Sequence, residues 1–177
     1  YLRSAGESRI DLHAGTLLLQ APAASRQLCR VVTPGGEVEG TGAAFQVRLL
    51  AAATEVVVTR AEVRIRSRSG ATGQLGAGEK TSFTAAGIAG AVAASGSETA
   101  WTDGFYEGFD APLGEAVDAL RAYRRGLIQI DATAAALRFS GVLPLDDTDR
   151  ALHALAAALP LDIRSFTPYW VRISARA

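Results

Sequence analysis

A change of hydrophobic period near Trp101 divides this sequence in two. Before it, apolar residues fall in short alternating runs: Ser8–His13, Gly15–Ala21, then CRVVTP, GEVEG, AFQVRLL, TEVVVTRAEVRIRS and GQLGAGEKTSFT. A period of two marks strands with one buried face, and Ile10 and Leu12 share such a face. Pro34-Gly35-Gly36 and the glycines at 70, 73, 76 and 78 punctuate the runs. Turn signals every ~8–12 residues point to an all-β sandwich, barrel or solenoid. No helix-period window precedes residue 100, so a β-only region is expected to about residue 97. Ala85–Ala100 is small and polar and reads as a weak strand running into a linker.

After Trp101 the spacing becomes helical. DAPLGEAVDALRAYRR places Leu113, Ala116, Val117, Leu120 and Tyr123 on one face, which predicts a helix near 112–124. Asp110 is placed to cap it, with Pro112 in the first turn. GLIQID and LRFSGVLP read as strands. LDDTDRALHALAAALP predicts a second helix near 147–158, with Asp146 and Asp149 flanking its start. Its inner face is Ala151, Leu152, Leu155, Ala156 and Leu159, and Pro160 stops it. LDIRSF and YWVRIS close as two strands turning at Thr167-Pro168. The second half thus reads strand-helix-strand, then strand-helix-strand-strand: two βα(β) units forming a compact α/β sandwich. Two domains are expected, 1–97 and 98–177.

The 177 residues, 49% of them hydrophobic, suffice for one large domain or two small ones with real cores. Lys+Arg and Asp+Glu both number 18, which argues against a nucleic-acid groove or an anionic membrane surface. No run of about 18 apolar residues occurs, so no spanning helix is expected. The chain begins at Tyr1 without an initiator Met or signal peptide and is read as a fragment.

Motifs that could carry chemistry are few. Cys29 is the single cysteine, expected as a buried thiol in a strand. His13 and His153 have no second ligand at zinc spacing, so no metal is expected. Asp146, Asp147 and Asp149 lack the glycine and downstream glutamate of a calcium loop. GQLGAGEKT imitates a phosphate loop, but Glu79 stands where that pattern needs Lys, and a strand follows instead of a helix. Leu113, Leu120 and Leu127 are spaced by seven, yet Gly126 ends the helix too soon for a coiled coil. No nucleophile elbow, Cys–His pair, paired carboxylates or triad appears, so no catalytic residue is expected.

Six blocks, in order and spanning nearly the whole chain, carry a resemblance. They are LHAGTLLLQ, VVTPGGEVEGTGAAFQVRL, EVVVTRAEVRIR, LGAGEKTSF, AWTDGFYEGFDAPLGEAVDALRAYRRGLIQID and LRFSGVLPLDDTDRALHALAAALPLDIRSFTPYWVRI. Together they closely resemble the periplasmic part of FecR-family sigma-factor regulators, a type of anti-sigma factor. The resemblance implies a single-span inner-membrane protein of a Gram-negative bacterium. It implies a cytoplasmic domain, lying before Tyr1 with the span and the first β strands, that binds an extracytoplasmic-function sigma factor. The periplasmic region would sense a TonB-dependent outer-membrane transporter through that transporter's N-terminal signalling domain. It would comprise a β-rich FecR domain and a subdomain resembling the secretin/TonB short N-terminal (STN) fold. No cofactor is implied, no siderophore would touch this chain, and no nucleic acid is expected as a partner. Arg121, Arg124, Arg125, Tyr169 and Trp170 are the candidate partner-binding residues, on the C-terminal subdomain.

The resemblance also bears on EVEGTGAAF, Glu37–Phe45. Family members commonly carry Ala-Leu-Gly-Thr-Arg-Phe here, and in some the Gly-Thr bond breaks by itself through attack of the threonine hydroxyl on the preceding carbonyl. Aligned on Phe45, the equivalent bond is Gly42–Ala43. Ala43 has no hydroxyl or thiol, so the chemistry is removed. On a purely structural reading, Gly40, Thr41 and Gly42 are turn residues. Two other functions compete with this one. A cell-envelope glycan-binding β-domain would need an exposed aromatic row, whereas aromatics are 7% and scattered. A hydrolase lacks any fitting constellation.

Overall fold

Alternation before Ser97 buries every second residue of runs such as Leu28–Thr33 and Glu62–Ser67, whereas residues 44–47 and 56–58 are buried on both faces, and the strands pack as two sheets over one core. The computed structural model describes residues 7–176. Its first unit runs to Gly96 and its second begins at Ser97. In the first unit the strands are β1 (Glu7–Asp11), β2 (Thr16–Gln20), β3 (Leu28–Thr33), β4 (Gly36–Thr41), β5 (Ala44–Leu49), β6 (Thr54–Arg60), β7 (Glu62–Ser67), β8 (Thr72–Gly76), β9 (Glu79–Phe83) and β10 (Val92–Ala93). One sheet has the order β1-β3-β4-β7-β8 and the other β10-β9-β6-β5-β2, and neither closes into a barrel. Val31, Val38, Val63, Ile65 and Leu75 from the first meet Phe45, Val47, Val56, Val58 and Phe83 from the second. The shared core makes this unit a sandwich. Inside it, the Thr54 hydroxyl donates to Thr33 at 3.2 Å and Thr33 donates to the Gly36 carbonyl at 3.1 Å. Buried hydroxyls are thereby paired.

Two features of this unit lie beyond what alternation can tell. β1 pairs in parallel with β3, while β2, only a few residues after β1, joins the opposite sheet against β5. The expected weak strand in Ala85–Ala100 shrinks to β10, two residues beside β9, followed by a 3-10 helix over Ser97–Asp103.

The second unit comprises β11 (Phe105–Pro112), α1 (Leu113–Tyr123), β12 (Leu127–Ile130), α2 (Ala132–Ala135), β13 (Arg138–Pro144), α3 (Thr148–Ala158), β14 (Leu161–Thr167) and β15 (Trp170–Ala175). β11 and β13 form a two-stranded sheet; β12-β15-β14 form a three-stranded one. α1 touches β11 and β12, and α3 touches β13 and β14, so both long helices lie between the sheets. Leu113, Val117 and Leu120 of α1 share a core with Leu152 and Leu155 of α3, Phe139 and Leu143 of one sheet, and Ile128, Val171 and Ile173 of the other.

The chain order, strand-helix-strand and then strand-helix-strand-strand, is the expected one with α2 added, but the strands are shared out between the sheets differently from βαβ units. A βαβ unit joins parallel strands of one sheet. Here the strands flanking α1 belong to different sheets, as do those flanking α3. The parallel pair is β12 with β15. Three local readings also change. Asp110 does not cap α1: it sits in a β-bulge of β11 at φ 46°, bound to Arg138 at 2.9 and 3.1 Å, and Pro112 takes the cap position without a side-chain bond. Asp147, rather than Asp146, caps α3 by accepting from the Arg150 N–H at 2.9 Å. Tyr123, the last residue of α1, is half exposed instead of facing inward.

Candidate functional site

Two places were singled out from sequence, and each lies within one unit. The first is the link between β4 and β5. Gly40 and Thr41 are strand residues of β4 rather than turn residues, so Gly42 and Ala43 alone carry the chain from one sheet to the other. Gly42 takes φ +60°, and a Cβ there would lie 2.8 Å from the Ala23 carbonyl oxygen. Glycine is required by both conformation and space. Ala43 is fully buried. A Cβ on Gly40 would come within 2.8 Å of the Ala43 Cβ and 3.1 Å of Val63 Cγ1. Small residues at 40, 42 and 43 are therefore demanded by the close passage of chain at this corner.

Arg60, at the end of β6, clamps the same corner. Its Nε donates to the Gly42 carbonyl at 3.4 Å and its Nη2 to the Ala21 carbonyl. The Ala21 N–H in turn donates to the Ala43 carbonyl at 3.0 Å. The Gly42 carbonyl thus faces a cationic donor, which withdraws electron density from its carbon, while the residue that follows offers no nucleophile.

The second place is the end of α1 and the turn between β14 and β15. The structure divides the five residues named there. Arg121 donates to the Ile128 carbonyl at 3.0 Å (Nε) and 2.6 Å (Nη2) and pairs with Asp118. It covers part of the free edge of β12. Arg124 is turned inward, its side chain 8% exposed, and reaches Thr148, Asp149 and the Pro168 carbonyl. Both guanidinium groups are engaged within the fold. Arg125, Tyr169 and Trp170 remain exposed. Gly126, at φ +115°, lets the chain pass directly over Tyr169, whose carbonyl accepts the Leu127 N–H at 2.7 Å.

Sequence reasoning missed three companions of Trp170. Phe166 stacks on it with centroids 4.6 Å apart and a 30° tilt. Arg164 and Arg172 lie beyond, around a shallow pocket of about 260 Å³ lined also by Asp162 and Ser174. The signal was present: RSF in β14 and WVR in β15 place arginine and aromatic residues at alternate, outward positions.

Cys29 is buried in β3, and burial pushes its thiol above the ordinary value. Among the described residues no three His, Cys, Asp or Glu side chains gather as metal ligands.

Two crystal structures of candidate anti-sigma factors from Parabacteroides distasonis share this fold. The first superposes with a TM-score of 0.79 at 15% identity, covering 99% of this chain and 84% of that one. The second gives 0.77 at 14% identity, covering 98% and 83%. No family model and no curated protein matches the chain. The β-rich architecture of several open sheets is thus an anti-sigma-factor-like fold.

Proposed function

We propose that this chain is the periplasmic signalling region of a FecR-family transmembrane sigma-factor regulator. It relays the state of a TonB-dependent outer-membrane transporter to an extracytoplasmic-function sigma factor that controls iron-uptake genes. The observation that carries this reading is the in-order resemblance of six sequence blocks across nearly the whole chain. The fold shared with two candidate anti-sigma factors supports it. Residues 98–177 are read as the STN-like subdomain, supported by two helices lying between a two-stranded and a three-stranded sheet. The chain acts by binding and not by catalysis, takes no cofactor or metal, and does not touch the iron source. Its partners are the transporter's N-terminal signalling domain and, through the cytoplasmic domain that such regulators carry, the sigma factor.

One observation favours the glycan-binding alternative: Phe166, Tyr169 and Trp170 are all exposed at one end of a sheet. The two readings separate in one experiment. The immobilised chain is offered a transporter signalling domain and, separately, peptidoglycan fragments. Capture of the first and not the second is expected. The reverse refutes the regulator reading.

A further inference from the structure

The outer face of the three-stranded sheet carries two facing arginines with a single carboxylate between them. Arg164 on β14 and Arg172 on β15 are direct cross-strand partners and point to the same, solvent side. Like charges placed opposite each other in an antiparallel pair are destabilising. Asp162 binds Arg164 at 2.8 Å, but among the described residues the Arg172 guanidinium has no hydrogen-bond or ion-pair partner. The first unit also sets Arg9 opposite Arg30, but there both are matched, Arg9 by Asp11 and Arg30 by Glu7 and Glu39. There Glu37 stands opposite Arg66 and Glu39 opposite Arg64, with Arg30 held 2.6 Å from Glu39. The contrast leaves one carboxylate, Asp162, for two arginines on β14–β15, next to the apolar shelf formed by Phe166 and Trp170. The Trp170 ring is fixed in place, its Nε1 donating to Gln129 at 3.1 Å. β14 is also the last strand of its sheet, so one of its backbone edges has no strand partner within the unit.

We infer that this face docks an extended, acidic segment of a partner protein, a carboxylate bridging Arg164 and Arg172 while a neighbouring apolar side chain lies on Phe166 and Trp170. Charge complementarity selects the occupant. Two guanidinium forks suit a carboxylate, with which arginine forms paired hydrogen bonds. The alternation of arginine and aromatic along β14 matches a strand that presents acidic and apolar side chains in turn. The inference rests on reading the chain as an interaction module and names the partner chemistry at one surface of it.

The test uses the whole chain and a blocked synthetic peptide alternating glutamate with leucine, against its twin with glutamine for glutamate. Calorimetry is expected to show binding of the glutamate peptide, about tenfold or more tighter than the glutamine twin. Arg172→Glu is expected to abolish that binding while holding or raising the thermal midpoint, because it places opposite charges across the strand pair. That result separates lost docking from lost folding. Equal affinity for the two peptides overturns the inference, as does unchanged binding by Arg172→Glu. Uptake of peptidoglycan fragments on this face, with no preference between the peptides, overturns it as well. The interaction-module reading fails on a different result, the absence of any binding to a transporter signalling domain.

Discussion

The Arg124 guanidinium lies 2.6 Å from the Asp149 carboxylate while its own side chain is nearly sealed from solvent, joining the end of α1 to the start of α3. It also reaches the Thr148 hydroxyl at 2.9 Å and the Pro168 carbonyl at 3.3 Å, so one side chain ties two helices and the β14–β15 turn. Arg124→Ala is expected to destabilise the second unit by about 1–3 kcal/mol, since hydrogen bonds to a charged group are lost and the aliphatic stem is unpacked. Arg125→Ala, at an exposed neighbour, should stay within about 0.5 kcal/mol. Urea unfolding of the two variants checks the difference.

Leu120 lies fully buried among α1, α3 and both sheets of its unit. Leu120→Ala is expected to cost about 2–5 kcal/mol, a large part of what a small unit has. Loss of the near-ultraviolet dichroism of the second unit, not merely weaker partner binding, should follow. Native dichroism with impaired binding alone would place Leu120 at an interface instead.

The Gly42–Ala43 corner predicts a covalent outcome. The unmodified chain should keep its full mass on storage at neutral pH. Ala43→Thr should split between residues 42 and 43 without protease. It sets a hydroxyl beside a carbonyl already polarised by Arg60, in a corner where proximity raises its effective concentration. Because Ala43 is fully buried, threonine also crowds the core, at about 1–3 kcal/mol. Ala43→Val carries the same crowding and no hydroxyl, and should remain whole. Intact-mass spectrometry reads all three. Breakage of the unmodified chain at 40/41 would show that Thr41 is the nucleophile, and an unbroken Ala43→Thr would show that the corner lacks the needed strain.

Asp110 supplies a pH test. Its hydrogen bonds from Arg138, and then the Arg138 charge, hold its carboxyl below the usual carboxylate range. Its folded value therefore lies under the unfolded one, near 3.9. The pair's contribution is complete above about pH 4 and is lost as pH falls through the folded value. An NMR titration should place the Asp110 midpoint below its usual position, and Arg138→Met should restore it.

How far the sequence spoke can be seen element by element. The two long helices were legible because Leu113, Val117 and Leu120, like Ala151, Leu152 and Leu155, repeat at the helical period over eleven residues in each case. Strand faces were legible from alternation, as in β7, where Val63 and Ile65 are buried between exposed charges. Partnership was not. Alternation says which side chains point inward but not which strand lies alongside, so the parallel pairs β1–β3 and β12–β15 left no trace. α2, four residues long, is too short to show a period. Three aspartates near the start of α3 made the cap ambiguous, and only geometry selects Asp147. At the candidate surface, the expected binding residues include Arg121, Arg124 and Arg125 near the end of α1. The fold uses Arg121 and Arg124 for itself and leaves the exposed charge on β14 and β15, because a residue's outward position depends on the sheet it joins.

The central claim is that this chain docks a transporter's signalling domain, and calorimetric titration tests it most directly. The N-terminal signalling domain of a TonB-dependent transporter is titrated into the whole chain and into residues 97–177. That fragment keeps the 3-10 helix over Ser97–Asp103, whose Trp101 packs on the second core. Saturable one-to-one binding to both is expected, with similar affinity. Binding to the whole chain alone would move the site into the β sandwich. The absence of binding to either would contradict the account.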